Sequence, residues 1–172
     1  MRFLYLALCV TVTATVTVAA SPSTELRPDD DAKKLAVLVD GSEALAYQYS
    51  DEFALPHYWP VRSPSGKLLV VQRPDPFPHH RSIWIADKVQ AGDGPAVDFY
   101  HCWKNLRSPS EPADGFRHFI RHQRFGKQEA EGTTALVEAE LQWIVDDNTP
   151  VLDEHRELRV VALGDGEYLI DL

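Results

Sequence analysis

The residues with the most chemical capacity sit in one run, Pro74-Asp75-Pro76-Phe77-Pro78-His79-His80-Arg81-Ser82-Ile83-Trp84. The prolines restrict the backbone of the approach. Two imidazoles and a guanidinium then open an apolar stretch. An imidazole titrates near neutral pH and can take or give a proton, and a guanidinium fork can hold an anion or a sugar hydroxyl. These residues predict a polar site in which His79 and His80 act as acid or base and Arg81 orients the ligand. The same residues also suit a purely structural arrangement, with the histidines closing a loop and Arg81 paired to a carboxylate. If residues 80–86 are extended, His80, Ser82 and Trp84 share one face and His79, Arg81, Ile83 and Ile85 the other. The two imidazoles then point apart and do not chelate one ion, so no metal is expected.

Asp98-Phe99-Tyr100-His101-Cys102-Trp103-Lys104 is the second candidate. Aromatic rings beside Asp and His suit a sugar, whose ring faces are apolar and whose rim is polar. Trp84, Asp98 and Tyr100 are therefore expected to touch substrate; an aromatic corner of the core is the alternative. Nothing in the sequence marks the Cys102 thiolate as stabilised. The third candidate is Asp153-Glu154-His155-Arg156-Glu157-Leu158, where Glu154 and Arg156 share a strand face with Leu158, Val160 and Ala162. Either they line a pocket mouth, Glu154 as a second acid/base group and Arg156 as a binding group, or they form a structural ion pair. His57, among the aromatics of Leu55-Pro56-His57-Tyr58-Trp59-Pro60, is a further binding candidate. His118 and His122 have i,i+4 spacing, but their neighbours do not support the helix a metal site would need. No P-loop, dinucleotide fingerprint, nucleophile elbow or H-E-x-x-H motif occurs.

The elements that must position these groups read as strands. Thr134 to Val145 alternates strictly: Ala135, Val137, Ala139, Leu141, Trp143 and Val145 on one face, Glu138, Glu140 and Gln142 on the other. That period belongs to a strand. Leu35–Val39 and Glu43–Tyr49 flank Asp40-Gly41-Ser42 as a hairpin. Short strands are expected at 68–71, 82–86 and 116–125, and a closing hairpin at 156–163 and 167–172. No long segment has a 3.6-residue apolar period. Many short antiparallel strands with Pro and Gly turns predict an all-β sandwich.

The first 20 residues differ in kind. Met1-Arg2 is a short positive start, 3–18 are uncharged and apolar or threonine-rich, and Val18-Ala19-Ala20 offers a cleavage site, which predicts a signal peptide and a secreted or periplasmic protein. Residues 21–34, rich in Pro and Asp, are expected to be a flexible linker, and 35–172 the β-sandwich domain. The strand-like run at Leu172 suggests that this domain is C-terminally incomplete. Cleavage after Ala20 would remove Cys9 and leave Cys102 alone, so no intrachain disulfide is expected. A formal charge of −9 without a basic stripe excludes nucleic acid and anionic membranes as natural partners. A small-molecule or glycan ligand is expected, and no cofactor.

Three segments in order resemble a bacterial family labelled "methane oxygenase PmoA": Tyr58-Trp59-Pro60-Val61-Arg62-Ser63-Pro64-Ser65-Gly66-Lys67, Pro78-His79-His80-Arg81-Ser82-Ile83-Trp84, and Val97-Asp98-Phe99-Tyr100. That family carries P-V-x-x-P-x-G, then H-P-H-H-R-S/G-L-W, then V-D-F-W. Glu154-His155-Arg156-Glu157-Leu158 also fits its E-x-R-x-L strand. The resemblance covers residues 36–172. Phe77 stands where the family has His, and Tyr100 where it has Trp. The resemblance implies a β-sandwich of the mutarotase-like supersandwich type, associated with secreted sugar metabolism. Three functions follow: a mutarotase-like, lyase or hydrolase enzyme; a non-catalytic glycan-binding module using Trp59, Trp84, Tyr100 and Trp103; or, taking the label literally, a copper-dependent oxygenase component.

Overall fold

In the strand Thr134–Val145 (β9), Ala135, Val137, Ala139, Leu141 and Trp143 are buried and the intervening residues are half-exposed. Its bounds are those the alternation predicts. The computed structural model describes residues 21–108, 110–111 and 114–172, excluding the Trp103 side chain. The expected signal peptide over 1–20 and the expected Trp103 contact lie outside the described residues.

β9 pairs on one side with Phe119–Glu131 (β8) and on the other with Thr149–Gly164 (β10), which pairs in turn with Glu167–Asp171 (β11). This antiparallel sheet has the order β11-β10-β9-β8. A second antiparallel sheet follows chain order: Thr24–Asp29 (β1), Lys34–Val39 (β2), Ser42–Gln48 (β3), His57–Val61 (β4) and Ile83–Trp84 (β5). The chain then forms a small ribbon, Lys88–Val89 (β6) with Val97–Asp98 (β7), and a 3-10 turn at Cys102–Asn105 before entering β8. The inner faces of the two sheets share one core, with Leu35, Val37, Leu45, Tyr47 and Tyr58 from one side and Val137, Leu141, Trp143, Leu158 and Val160 from the other. The fold is the expected all-β antiparallel sandwich. β2 is apolar throughout and buried from Leu35 to Val39, as suits a strand flanked by β1 and β3.

Three expectations are corrected. Residues 21–34 are not a free linker, because β1 pairs with β2 from Thr24↔Val39 to Asp29↔Lys34. Thr24 N–H also donates to Gly132 O (2.9 Å), which ties this edge to the β8–β9 turn. An edge strand satisfies its backbone on one neighbour with little apolar content, so its polar composition conceals it. The run 68–71 is not a strand. A turn at Ser63–Gly66 folds it back on β4 through one bridge, Arg62↔Leu68, leaving Leu68, Leu69 and Val71 exposed. The strand expected at 82–86 shortens to Ile83–Trp84, because Ser82 adopts φ 81° and breaks the extended run.

Candidate functional site

Residues 73–80 form a closed loop. Phe77 N–H donates to Pro74 O, His80 N–H to Phe77 O (3.1 Å), and Arg73 N–H to His80 O (2.7 Å). Two successive turns therefore deliver His79 and His80 to the edge of the first sheet. Because the chain turns at 77–80 and again at Ser82, the strict alternation expected there fails. The two imidazoles meet, with ring centroids 4.5 Å apart and nearly perpendicular. His79 is buried, and its Nδ1 has no hydrogen-bond partner.

The second half of the cluster comes from residues 98–105. Phe99 is buried against Trp143 (centroids 4.9 Å) and anchors this segment in the sandwich core. Asp98 Oδ1 accepts the His101 backbone N–H (2.9 Å), and Asn105 Nδ2 donates to Asp98 O (2.9 Å), so the turn is held at both ends. Asp98 Oδ2 lies 2.8 Å from His101 Nδ1. With Nδ1–H donated to the carboxylate, the His101 Nε2 lone pair is left as a proton acceptor. Burial opposes the Asp98 charge, but the hydrogen bonds from His101 and the charges of His101 and Lys88 outweigh it and hold the carboxyl below its usual range.

His101 and His79 lie 4.7 Å apart, and Tyr100 is 5.5 Å from His79. Trp84 completes a wall: 5.4 Å from Tyr100, 5.5 Å from His80, with Phe77 stacked on His80 at 5.0 Å. Trp84 Nε1 and Ser82 Oγ are buried without partners. Burial first, then the neighbouring His80, His101 and Lys104 charges, lowers the His79 pKa below the ordinary histidine value. This favours the neutral form of His79. The arrangement offers a carboxylate-held imidazole, a neutral imidazole beside it, and an aromatic wall whose outer members, Phe77 and Tyr100, reach solvent.

The expected residues His79, His80, Trp84, Asp98 and Tyr100 are thus brought together, whereas Arg81, the next residue in the chain, stands against Phe53, its guanidinium carbon 5.6 Å from the ring centroid. Others are not. His57 is fully buried: its Nδ1–H donates to Leu55 O (3.3 Å), and Gln72 Nε2 donates to its Nε2 (2.6 Å). With both nitrogens taken it touches no ligand, which corrects its placement as a binding residue. Glu154 and Arg156 form the structural ion pair. Arg156 Nε and Nη2 lie 2.7 and 2.6 Å from Glu154 Oε1, and Trp143 Nε1 donates to Oε2 (2.7 Å). Both point into the sandwich, because their strand face is the core face. Among the described contacts none joins Glu154 to His79 or His80, so its expected role as a second acid/base group is corrected. His118 and His122 have separate partners: the first accepts Asp146 N–H, and the second packs with Tyr47, Tyr49 and Phe125.

His101 was visible in the sequence only as part of the aromatic run. The Asp98-x-x-His101 spacing, closed by a turn, was the usable signal. Among the described residues no three His, Cys, Asp or Glu side chains are placed to ligate one ion. The described residues therefore offer no three-ligand set for a copper ion. A larger cavity of about 480 Å³ opens elsewhere, between Asp40–Ala44, Ser63–Gly66 and Asp165–Gly166. No histidine lines it. No helix among the described residues is long and apolar enough to cross a membrane.

Comparison with curated proteins and with solved structures finds no match. A family model described as "Family of unknown function (DUF6807)" matches residues 34–172, which include every strand after β1 and the whole histidine cluster. The chain belongs to this family of unknown function, DUF6807.

Proposed function

We propose that this chain is an exported protein acting on carbohydrate by acid–base catalysis at the His79–His101 cluster. The observation that carries this reading is the Asp98–His101 pair (2.8 Å) set against a neutral, buried His79 beneath an aromatic wall. Asp98 fixes the tautomer of His101, so that Nε2 can remove a proton from a substrate hydroxyl or carbon. His79 and His80 stand within one ring's width and can return a proton from a second position. Trp84 and Tyr100 supply the face on which a pyranose ring stacks. The resemblance to the PmoA-labelled proteins and the signal-peptide pattern support a place in secreted sugar metabolism. The lack of a fitting donor set among the described residues leaves the oxygenase reading without support.

The aromatic wall alone favours a second reading, a glycan-binding module without turnover. One experiment separates the two. A panel of mono- and disaccharides is incubated with the protein and with Asp98→Asn and Trp84→Ala variants, and sugar 1H spectra are followed in time. The enzyme reading predicts conversion of at least one sugar and a loss of tenfold or more in rate for Asp98→Asn with binding retained. Binding lost in Trp84→Ala, with no conversion by any form, would establish the module and overturn the enzyme.

A further inference from the structure

Arg81 is buried, yet no described carboxylate neutralises it. Ion pairs of the described residues engage Arg62, Arg107, Arg117, Arg121 and Arg156, among others, but neither Arg81 nor Arg73. Its guanidinium carbon stands 5.6 Å from the Phe53 ring centroid, and its Nε is buried with no hydrogen-bond partner. Burying a guanidinium without an anion is expensive, because the low dielectric raises its self-energy and each orphaned N–H adds a desolvation cost. The Cys102 side chain meets this guanidinium, and the orphaned Nε is left as a donor for an anion.

The place has a definite shape. Arg81 and Arg73 line one cavity of about 330 Å³, walled by Phe53, Pro78, Leu106 and Phe116. Arg73 is presented from a left-handed backbone (φ 51°), and its N–H closes the loop onto His80 O. The two arginines therefore flank the same Pro78-His79-His80 segment that carries the histidines. Burial above all destabilises the Arg81 cation; the Cys102 side chain offsets part of this, the Arg73 charge adds to it, and an anion between the two arginines would relieve both. Glu52 lies on the rim, beyond ion-pair distance of either arginine.

We propose that this cavity holds the carboxylate of an acidic sugar, with Arg81 as its principal ligand and Arg73 as a second cation. This rests on the reading of the histidine cluster as a carbohydrate site and narrows its substrate class to uronates. A planar guanidinium matches a carboxylate through two parallel hydrogen bonds. The cavity has room for the carboxylate end of a sugar, and Pro78 joins its wall to the His79-His80 segment.

Calorimetric titration with D-glucuronate, D-glucose and inorganic phosphate tests this on the purified chain, without any need for turnover. The expected result is glucuronate binding at least tenfold tighter than glucose. Arg73→Gln, at an exposed position that leaves the fold intact by circular dichroism, should weaken glucuronate fivefold or more and leave glucose unchanged. Arg81→Met should abolish the preference. Equal binding of glucuronate and glucose, or an Arg73→Gln variant with unchanged glucuronate affinity, would overturn the proposal. Phosphate binding as tightly as glucuronate would also overturn it, assigning the cavity to phosphate. Intact glucuronate binding with no sugar converted by the protein would leave this site standing while the acid–base reading fell.

Discussion

His57 makes the stability of this protein depend on pH in a way that can be worked out from its contacts. Leu55 O can only accept, so Nδ1 carries the proton of the neutral ring, and Nε2 accepts from the Gln72 amide. A second ring proton would face the Gln72 N–H, inside a site with no exposure to water and near the Arg81 charge. Burial above all lowers the pKa to about 4, against 6.5 for a free imidazole. The unfolded chain therefore binds a proton that the folded one refuses. Because the folded pKa lies below the unfolded one, this contribution is complete above pH 6.5 and is lost as pH falls toward 4. The gap corresponds to about 3 kcal/mol, of which about 2 kcal/mol disappears between pH 7 and pH 4.5. His57→Asn retains a donor for Leu55 O and does not titrate. Urea unfolding of both proteins at the two pH values cancels the other groups, notably His122, whose pKa burial also lowers to about 4. The parent should lose about 2 kcal/mol more than the variant, a midpoint shift of roughly 1 M urea. An equal loss in both would refute the argument.

The ion pair and the anchor of the site allow two further tests. Arg156→Met leaves Glu154 charged in the sandwich interior and should cost about 3–5 kcal/mol by urea unfolding. The double variant with Glu154→Gln should recover part of that loss, and a double variant no more stable than the single would contradict a buried pair. Phe99→Ala removes a ring 1% exposed that packs on Trp143, at a cost of about 3–5 kcal/mol. Because Phe99 stands between Asp98 and Tyr100, amide exchange at His101 should accelerate more than at Leu141 in β9. Uniform acceleration would mean that the ring anchors only the core.

The sandwich was legible wherever burial imposes a period. The alternation of β9 gave both its face and its bounds, and the Asp40-Gly41 turn gave the β2–β3 hairpin. The signal failed where strands lie at an edge. β1 is polar because only Leu26 packs inward, and the apolar run at 68–71 suggested a strand that its turn keeps exposed. The residue types of the site were legible, but their meeting was not. A positive φ at Ser82 and two turns at 74–80 bring His79 and His80 together, and strand periodicity predicts the opposite. His57 and Glu154 had the right chemistry for a site, and only their burial and saturated partners show that they support the fold. Arg73 carried no local motif; the cavity it lines is formed by segments distant in the chain.

The central claim is that His101, held by Asp98, moves a substrate proton. The most direct test compares turnover of the converted sugar by His101→Ala and by His122→Ala, two identical truncations, one inside the cluster and one in the aromatic packing of β8. The account predicts a rate lower by about 100-fold or more for His101→Ala, and a rate within about twofold of the parent for His122→Ala. Equal rates in the two variants would contradict it.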